Sequence, residues 1–334
     1  TSADNPGEPL WQQLNTDFEV VCLVYHRFGD SRYPSTNTSV SVFEEHLKYL
    51  SDNGFKSFTV SELLNDTSAL ANDSKKVLIT VDDGFASFYE NGIPLLEKYE
   101  MKATLFVNTE SVGWGDYLSW PQLNEVMAKG IEIGSHSHQH NYFVNVHDTL
   151  RAKVFEEDLL KAEALFEENV GFVPKTYVYP YGEFSDDMVE VIKKHDYEIA
   201  FAQNSGVLSN TSHPYAVPRF PVAGSHVSME QFISKVNMHP LKVQKENQLP
   251  IIVDGGEQLD YSIQLVGEKL SGPLNCFIGG QSSSEAISLD GNQLSFSFKA
   301  PANRRRTPVT ITTRNSDGQW YWFSRLLINP GVEE

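Results

Sequence analysis

The strongest constraint on this 334-residue chain is a series of short apolar runs, each ending in polar residues. Residues 18–24 (Phe-Glu-Val-Val-Cys-Leu-Val) and 77–81 (Val-Leu-Ile-Thr-Val) are too short for core helices. They are also too continuously apolar for strands wetted on one face. They predict strands buried on both faces, as in a parallel sheet. Weaker runs of the same kind occupy 103–107, 131–133, 176–179 and 199–201. Helical spacing fills the intervals. In 42–53, Phe43, Leu47 and Leu50 fall on one face before Gly54. Further helices are expected over 86–99, 120–129, 148–169 and 185–195, with a short one N-capped by Ser61 after 58–60. Strand and helix in alternation predict a parallel α/β fold, barrel-like rather than open. Its site belongs at the strand C-termini.

The pattern changes near residue 245. From Leu249 to Pro330 the runs are short and alternating, separated by Gly, Asn and Asp. This predicts an all-β, sandwich-like C-terminal domain over 245–334, with 242–248 as linker and 1–18 as a loose arm. The Trp320-Tyr321-Trp322-Phe323 row would send alternate rings inward, the others forming either a sugar platform or a contact with the barrel. Arg304-Arg305-Arg306 reads as a solvated loop or a contact for an anionic polymer.

A net charge of −18 makes nucleic acid and anionic lipid poor partners. Cys22 and Cys276 are too few for a disulfide framework or thiolate metal site and read as buried small hydrophobes. No apolar run approaches the roughly 20 residues of a membrane span. The polar opening at Thr1 resembles a trimmed secretory product, so a secreted or periplasmic mature form is expected.

Chemistry gathers at four predicted strand ends: His26, Asp82-Asp83, His136-Ser-His138-Gln-His140 and Tyr179-Pro-Tyr181-Gly182. Each alone is an ordinary turn or surface signal. Their coincidence is informative because strand ends converge in a parallel β/α fold. His136 and His140 are spaced i, i+4; on a helical turn both rings would face one ion. One carboxylate of Asp82-Asp83 would complete a two-His, one-Asp set with open positions, leaving the other free to take a proton from bound water. Such machinery hydrolyses an amide or ester without a nucleophilic side chain.

Thr80-Val-Asp82-Asp83-Gly84, His136-Ser-His-Gln-His140 and Tyr179-Pro-Tyr181-Gly182 resemble the first three motifs of the polysaccharide deacetylases, the NodB-homology or carbohydrate esterase family 4. The resemblance spans about 19–244. It implies a distorted (β/α) barrel, a divalent metal (usually zinc), and removal of N-acetyl groups from N-acetylglucosamine polysaccharides. It makes Asp82 the base, Asp83, His136 and His140 the metal ligands, and the Tyr181 backbone N–H an oxyanion donor. His138 matches a variable position. The family's general acid usually comes from a late Leu-x-His. Here Leu23-Val-Tyr25-His26 is the better match, as in the circularly arranged poly-β-1,6-N-acetylglucosamine deacetylases, with His239 as rival. Val178 stands where the family often carries an Arg, and Arg219 is the candidate substitute.

A sugar groove needs aromatic walls. Tyr25, Trp114 and Tyr142 are candidates, Phe85, Trp120, Tyr181 and Phe184 also flank strand ends, and Asn108 is a candidate polar contact. The alternatives to a deacetylase are an O-acetyl polysaccharide esterase and a catalytically silent carbohydrate-binding protein. The sequence leaves the glycan linkage and oligomeric state open.

Overall fold

The computed structural model describes residues 17–66, 69–70, 74–267, 272–279 and 285–333. Most of the expected N-terminal arm, residues 1–16, lies outside them. Among the described residues nine strands form the main sheet: β1 Glu19–Tyr25, β2 Lys56–Phe58, β3 Lys76–Val81, β4 Thr104–Val107, β5 Glu132–Ser135, β6 Thr176–Val178, β7 Ile199–Phe201, β8 Val207–Ser209 and β9 Phe220–Pro221. The order is β8-β1-β3-β4-β5-β6-β7, with β9 also pairing β1 and β2 also pairing β3. Only β8 runs antiparallel to its partner. Val217 bridges Phe201 and Phe220 registers with Leu23, so residues 217–220 span the gap between β7 and β1. The result is a curled half-barrel with helices, the form taken here by the distorted barrel that the resemblance implies.

Both faces of the sheet are covered. Val21, Leu23 and Tyr25 join an apolar cluster with Phe43, Leu47 and Leu50 of the helix Val40–Asp52. Val20 and Cys22 face the other way, with Leu78, Phe106, Val178 and Phe201. Double burial explains the unbroken apolar run of β1. Each such aliphatic side chain contributes about 1.5–3 kcal/mol on leaving water.

Several local expectations are corrected. The short second helix, Val60–Asn65, is capped by Thr59 in a reciprocal box with Glu62; Ser61 instead donates to Glu132. The helix expected over 86–99 splits into a π turn, Phe88–Gly92, and an α-helix, Ile93–Lys98. Pro94 has no N–H to continue the regular ladder. Strands β8 and β9 and the helix Met229–Val236 were not foreseen, the strands because runs of two or three residues carry no periodicity.

After a short 3-10 turn, Lys245–Asn247, the described residues of the C-terminal segment form strands and their connections. Its strands are β10 Gln258–Gln264, β11 Asn275–Ile278, β12 Ser288–Asp290, β13 Gln293–Lys299, β14 Arg306–Arg314 and β15 Trp320–Ile328. One sheet runs β10-β13-β12; the other contains β15-β14-β11, flanked by His239–Pro240 and Ile251–Ile252. Tyr261, Ile263, Phe296 and Phe298 meet Cys276, Ile278, Ile311 and Phe323 between them, giving the sandwich-like core. The aromatic row divides. Phe323 is buried in that core, Trp322 donates to Ser205 at 2.9 Å and packs toward Phe220, and Trp320 remains exposed. Leu326 and Ile328 share a cluster with Tyr177 and Tyr215 of the half-barrel. Cys22 and Cys276 are buried free thiols, both pushed up to about 12 chiefly by burial. Among the described residues no helix is long and apolar enough to cross a membrane.

Candidate metal centre and catalytic site

Sheet register assembles the site. Tyr25 pairs with Val81, and the Asp82 N–H donates to the Tyr25 carbonyl at 2.9 Å, so His26 and Asp82 leave adjacent strands side by side. Val107 pairs with Ser135, and the His136 N–H donates to Val107 at 2.9 Å. The Tyr179 N–H donates to Phe201 at 3.1 Å, fixing the start of the turn Pro180–Gly182. Four side-chain-bearing residues here adopt left-handed backbone: Asp83 (φ 75°), Ser137 (φ 69°), His140 (φ 55°) and Tyr181 (φ 57°). Each such conformation costs on the order of 1–3 kcal/mol and persists only where packing enforces it.

Asp83 Oδ1 lies 3.5 Å from His136 Nε2 and 3.6 Å from His140 Nε2, and the two Nε2 atoms are 3.0 Å apart. Three ligand atoms lie mutually within 4.8 Å, a two-nitrogen, one-oxygen set suited to zinc or a similar divalent ion. The expected helical turn is absent. Residues 136–140 form a loop, and the left-handed Ser137 and His140 bring the rings together instead. The His136 Nδ1–H donates to the Val178 carbonyl at 2.8 Å, which presents Nε2 to the centre. Asp158 accepts from the His138 and Gln139 N–H groups at 2.8 and 2.9 Å and anchors the loop. His138 itself turns to Thr109.

Charge is partitioned. Burial works against ionised Asp83, but the His136 hydrogen bond and the charges of His26 and His140 hold it far below the ordinary carboxyl range. Burial, then the charge of His136, pushes His140 down to about 4. Burial also opposes a charged His136, yet its bond to Asp83 and the two carboxylates carry it above its usual value.

Asp82 is fully buried and meets Arg219 in a fork, Nη1–Oδ1 and Nη2–Oδ2 both at 2.8 Å. Arg219 is also fully buried and donates to the Ala202 carbonyl and Thr80 Oγ1, each at 3.0 Å. Burial alone would raise Asp82. The guanidinium, followed by His136, outweighs it and keeps the carboxyl below its ordinary range.

His26 lies near enough for its charge to act on both aspartates, and its Nδ1 is buried with no partner among the described residues. The rival His239 lies elsewhere. It pairs with Glu19 at 2.7 Å, stacks on Tyr321 and meets Gln319 at 3.0 Å. Glu19 begins β1 whereas His26 follows its end, a separation of roughly 20 Å at strand rise.

The expected sugar contacts separate by orientation. Tyr25 is 1 % exposed, its hydroxyl bonded to His46 and its ring against Phe43; it points into the core rather than a groove. Asn108 is buried as well, donating to Ser111 at the start of a short turn. Phe85 and Phe184 are buried, and Trp120 packs on Phe166. Trp114 is 57 % exposed. Tyr142 stacks on Tyr181, centroids 3.7 Å apart.

The arginine run divides: Arg304 is exposed and Arg306 half-buried. Arg305 is buried against Glu183, just beyond the third motif. Arg305 was noted only as part of that run, and Asp158 was not singled out from the sequence. Asp158 did leave a trace, a carboxylate within the buried face Phe155, Leu159, Ala162, Phe166. Tyr117, pushed up by burial and the charge of Asp83, was also missed.

A family model described as polysaccharide deacetylase matches residues 69–200, which include Asp82, Asp83, His136, His140 and Tyr181. The poly-beta-1,6-N-acetyl-D-glucosamine N-deacetylase of Staphylococcus aureus (strain MRSA252) is 31% identical over 245 residues, 66% of this chain and 83% of that protein. Among solved structures, IcaB from Ammonifex degensii aligns with a TM-score of 0.57 at 26% identity, over 66% of this chain and 97% of its own. The Streptococcus pyogenes deacetylase PplD in complex with acetate aligns with a TM-score of 0.59 at 19% identity, over 66% and 99%, a likeness of fold.

Proposed function

The chain belongs to the polysaccharide deacetylase family, and from that premise we propose that it hydrolyses N-acetyl groups of an N-acetylglucosamine polysaccharide, releasing acetate. The observation that carries the reading is the convergence of Asp83, His136 and His140 beside the Asp82–Arg219 fork. A divalent ion held by those three ligands, zinc by the donor set, would supply Lewis acidity at the acetyl carbonyl and to a water. Asp82 is kept ionised by Arg219 and retains lone pairs beyond the fork, so it accepts the water's proton. The water oxygen bonds to the carbonyl carbon and the C–N bond breaks. His26 gives a proton to the leaving amine nitrogen, and the Tyr181 backbone N–H faces the developing oxyanion. Trp114 serves as an aromatic wall for the sugar, whereas both faces of Tyr142 are taken, by Tyr181 and by the Arg305 guanidinium, and 245–334 serves as an accessory domain. The Staphylococcus aureus relative points to a β-1,6-linked polymer, and a polysaccharide substrate to a secreted or periplasmic enzyme.

Acetate release from β-1,6- and β-1,4-linked N-acetylglucosamine oligomers and acetylated xylan, before chelation, after it and after zinc return, tests this. Chelator-reversible release with β-1,6 preference is expected. Binding without any release would overturn it in favour of a silent lectin, and faster release from xylan would make the protein an esterase.

A further inference from the structure

Arg305 reaches the site from the turn before β14, in the C-terminal sandwich. Its guanidinium forks onto the Glu183 carboxylate, Nε–Oε1 at 2.7 Å and Nη2–Oε2 at 2.6 Å, and the two side chains are only 5% and 1% exposed. The same group donates to Asn145 Oδ1 at 2.9 Å and the Val332 carbonyl at 3.1 Å. Arg306 adds a contact to Glu183 at 3.3 Å.

One side chain therefore ties two loops, the turn Phe143–Asn145 after the second motif and the turn Pro180–Gly182 of the third. Contact continues to the metal ligands. The guanidinium lies 4.3 Å over the Tyr142 ring, Tyr142 stacks on Tyr181, and Tyr181 meets His140 at 4.5 Å.

A buried ion pair is a poor source of net stability, since desolvation offsets much of the attraction, but its fork is directional. The loop it holds needs direction. Tyr181 is left-handed, and so is Gly182, where a Cβ would lie 2.5 Å from the Gln203 nitrogen. A strained turn relaxes unless its surroundings over-determine it.

We propose that Arg305 is a positioning residue for the Tyr181 loop: the C-terminal sandwich is part of the catalytic site's frame, and the Arg305–Glu183 fork sets the direction of the Tyr181 N–H. The inference rests on the deacetylase reading, in which that N–H serves the oxyanion. Removing an oxyanion donor outright costs about 10²–10³-fold in kcat. Loosening its mount should cost roughly 10- to 100-fold in kcat, with KM little changed.

Arg305→Met alone strands a buried carboxylate and risks unfolding, so the test pairs it with Glu183→Gln and adds Arg305→Lys. Kinetics on N-acetyl and N-trifluoroacetyl oligomers are measured with zinc affinity. Amide exchange across 177–185 is followed in metal-free protein. The double variant should lose kcat on the acetyl substrate and lose less on the trifluoroacetyl one, whose oxyanion needs less help. Zinc affinity should hold, exchange should quicken, and Arg305→Lys should fall between. Wild-type kcat and exchange in the double variant would overturn the proposal; so would equal losses on both substrates with weakened zinc binding. If the wild type releases no acetate, the deacetylase reading fails by itself. The exchange arm still judges the mount, and unaltered exchange refutes it.

Discussion

Replacing Arg219 by Met should reverse the sign with which Asp82 couples stability to pH. In the wild type, burial is the largest influence on Asp82 and pushes its pKa up, but Arg219 and then His136 bring it below the ordinary 3.8. Between that depressed value and 3.8 the unfolded chain holds more protons. The contribution is therefore complete above 3.8 and is lost as pH falls through the folded value. Without the guanidinium, held now by two 2.8 Å bonds, desolvation prevails and the folded carboxyl moves above 3.8. The folded state then holds the extra proton, so stability falls as pH rises toward neutrality. The slope is at most about 1.4 kcal/mol per pH unit. Its neutral limit is the roughly 3–5 kcal/mol cost of a buried, unpaired charge. Urea unfolding of metal-free Arg219→Met and Arg219→Met/Asp82→Asn, from pH 4 to 7.5, isolates Asp82 as the difference between the two. The single variant should lose ground to the double by a few kcal/mol over that range. A flat difference, or one of opposite slope, would refute the electrostatic account of the fork.

Three further outcomes are expected. His26→Ala should lower kcat roughly 10²–10⁴-fold while zinc affinity, measured by chelator competition, stays constant; a parallel fall in both would make His26 a structural residue. Gly182→Ala should destabilise by about 1–3 kcal/mol and reduce kcat with it, because its left-handed φ of 69° and the close Gln203 backbone leave no room for a Cβ; an unchanged unfolding midpoint would contradict this. His46 is pushed from 6.5 down to about 4, mainly by burial, so the unfolded chain takes up the proton first and stability declines as pH falls through that window. The loss should reach about 3 kcal/mol and be absent from His46→Asn, as urea midpoints between pH 7 and 4 would reveal; an equal slope in that variant would exclude His46 as its source.

Much of the half-barrel was legible because β1 and β3 are buried on both faces, which forces continuous apolar runs that no surface element needs. The convergence of Asp83, His136 and His140, the candidate metal triad, was legible too, since they follow strand ends, where parallel pairing must bring them together. Local geometry was less so. The i, i+4 histidine spacing suggested a helical turn, but left-handed Ser137 and His140 achieve the same convergence in a loop. Tyr25 and His26 are neighbours in sequence, yet alternation along the strand sends Tyr25 into the core and leaves His26 beside the aspartates.

Sequence alone, then, determined the layered α/β class and which side chains could do chemistry, because burial periodicity and strand-end placement are short-range properties. Tertiary structure decided the partners. Arg219 lies 137 residues from Asp82, and Arg305 lies 122 from Glu183. No local pattern encodes such pairs. They exist because the sheet curls until residues 217–220 bridge its edges and the sandwich packs against its rim, and a buried carboxylate is held ionised by whichever guanidinium that packing delivers.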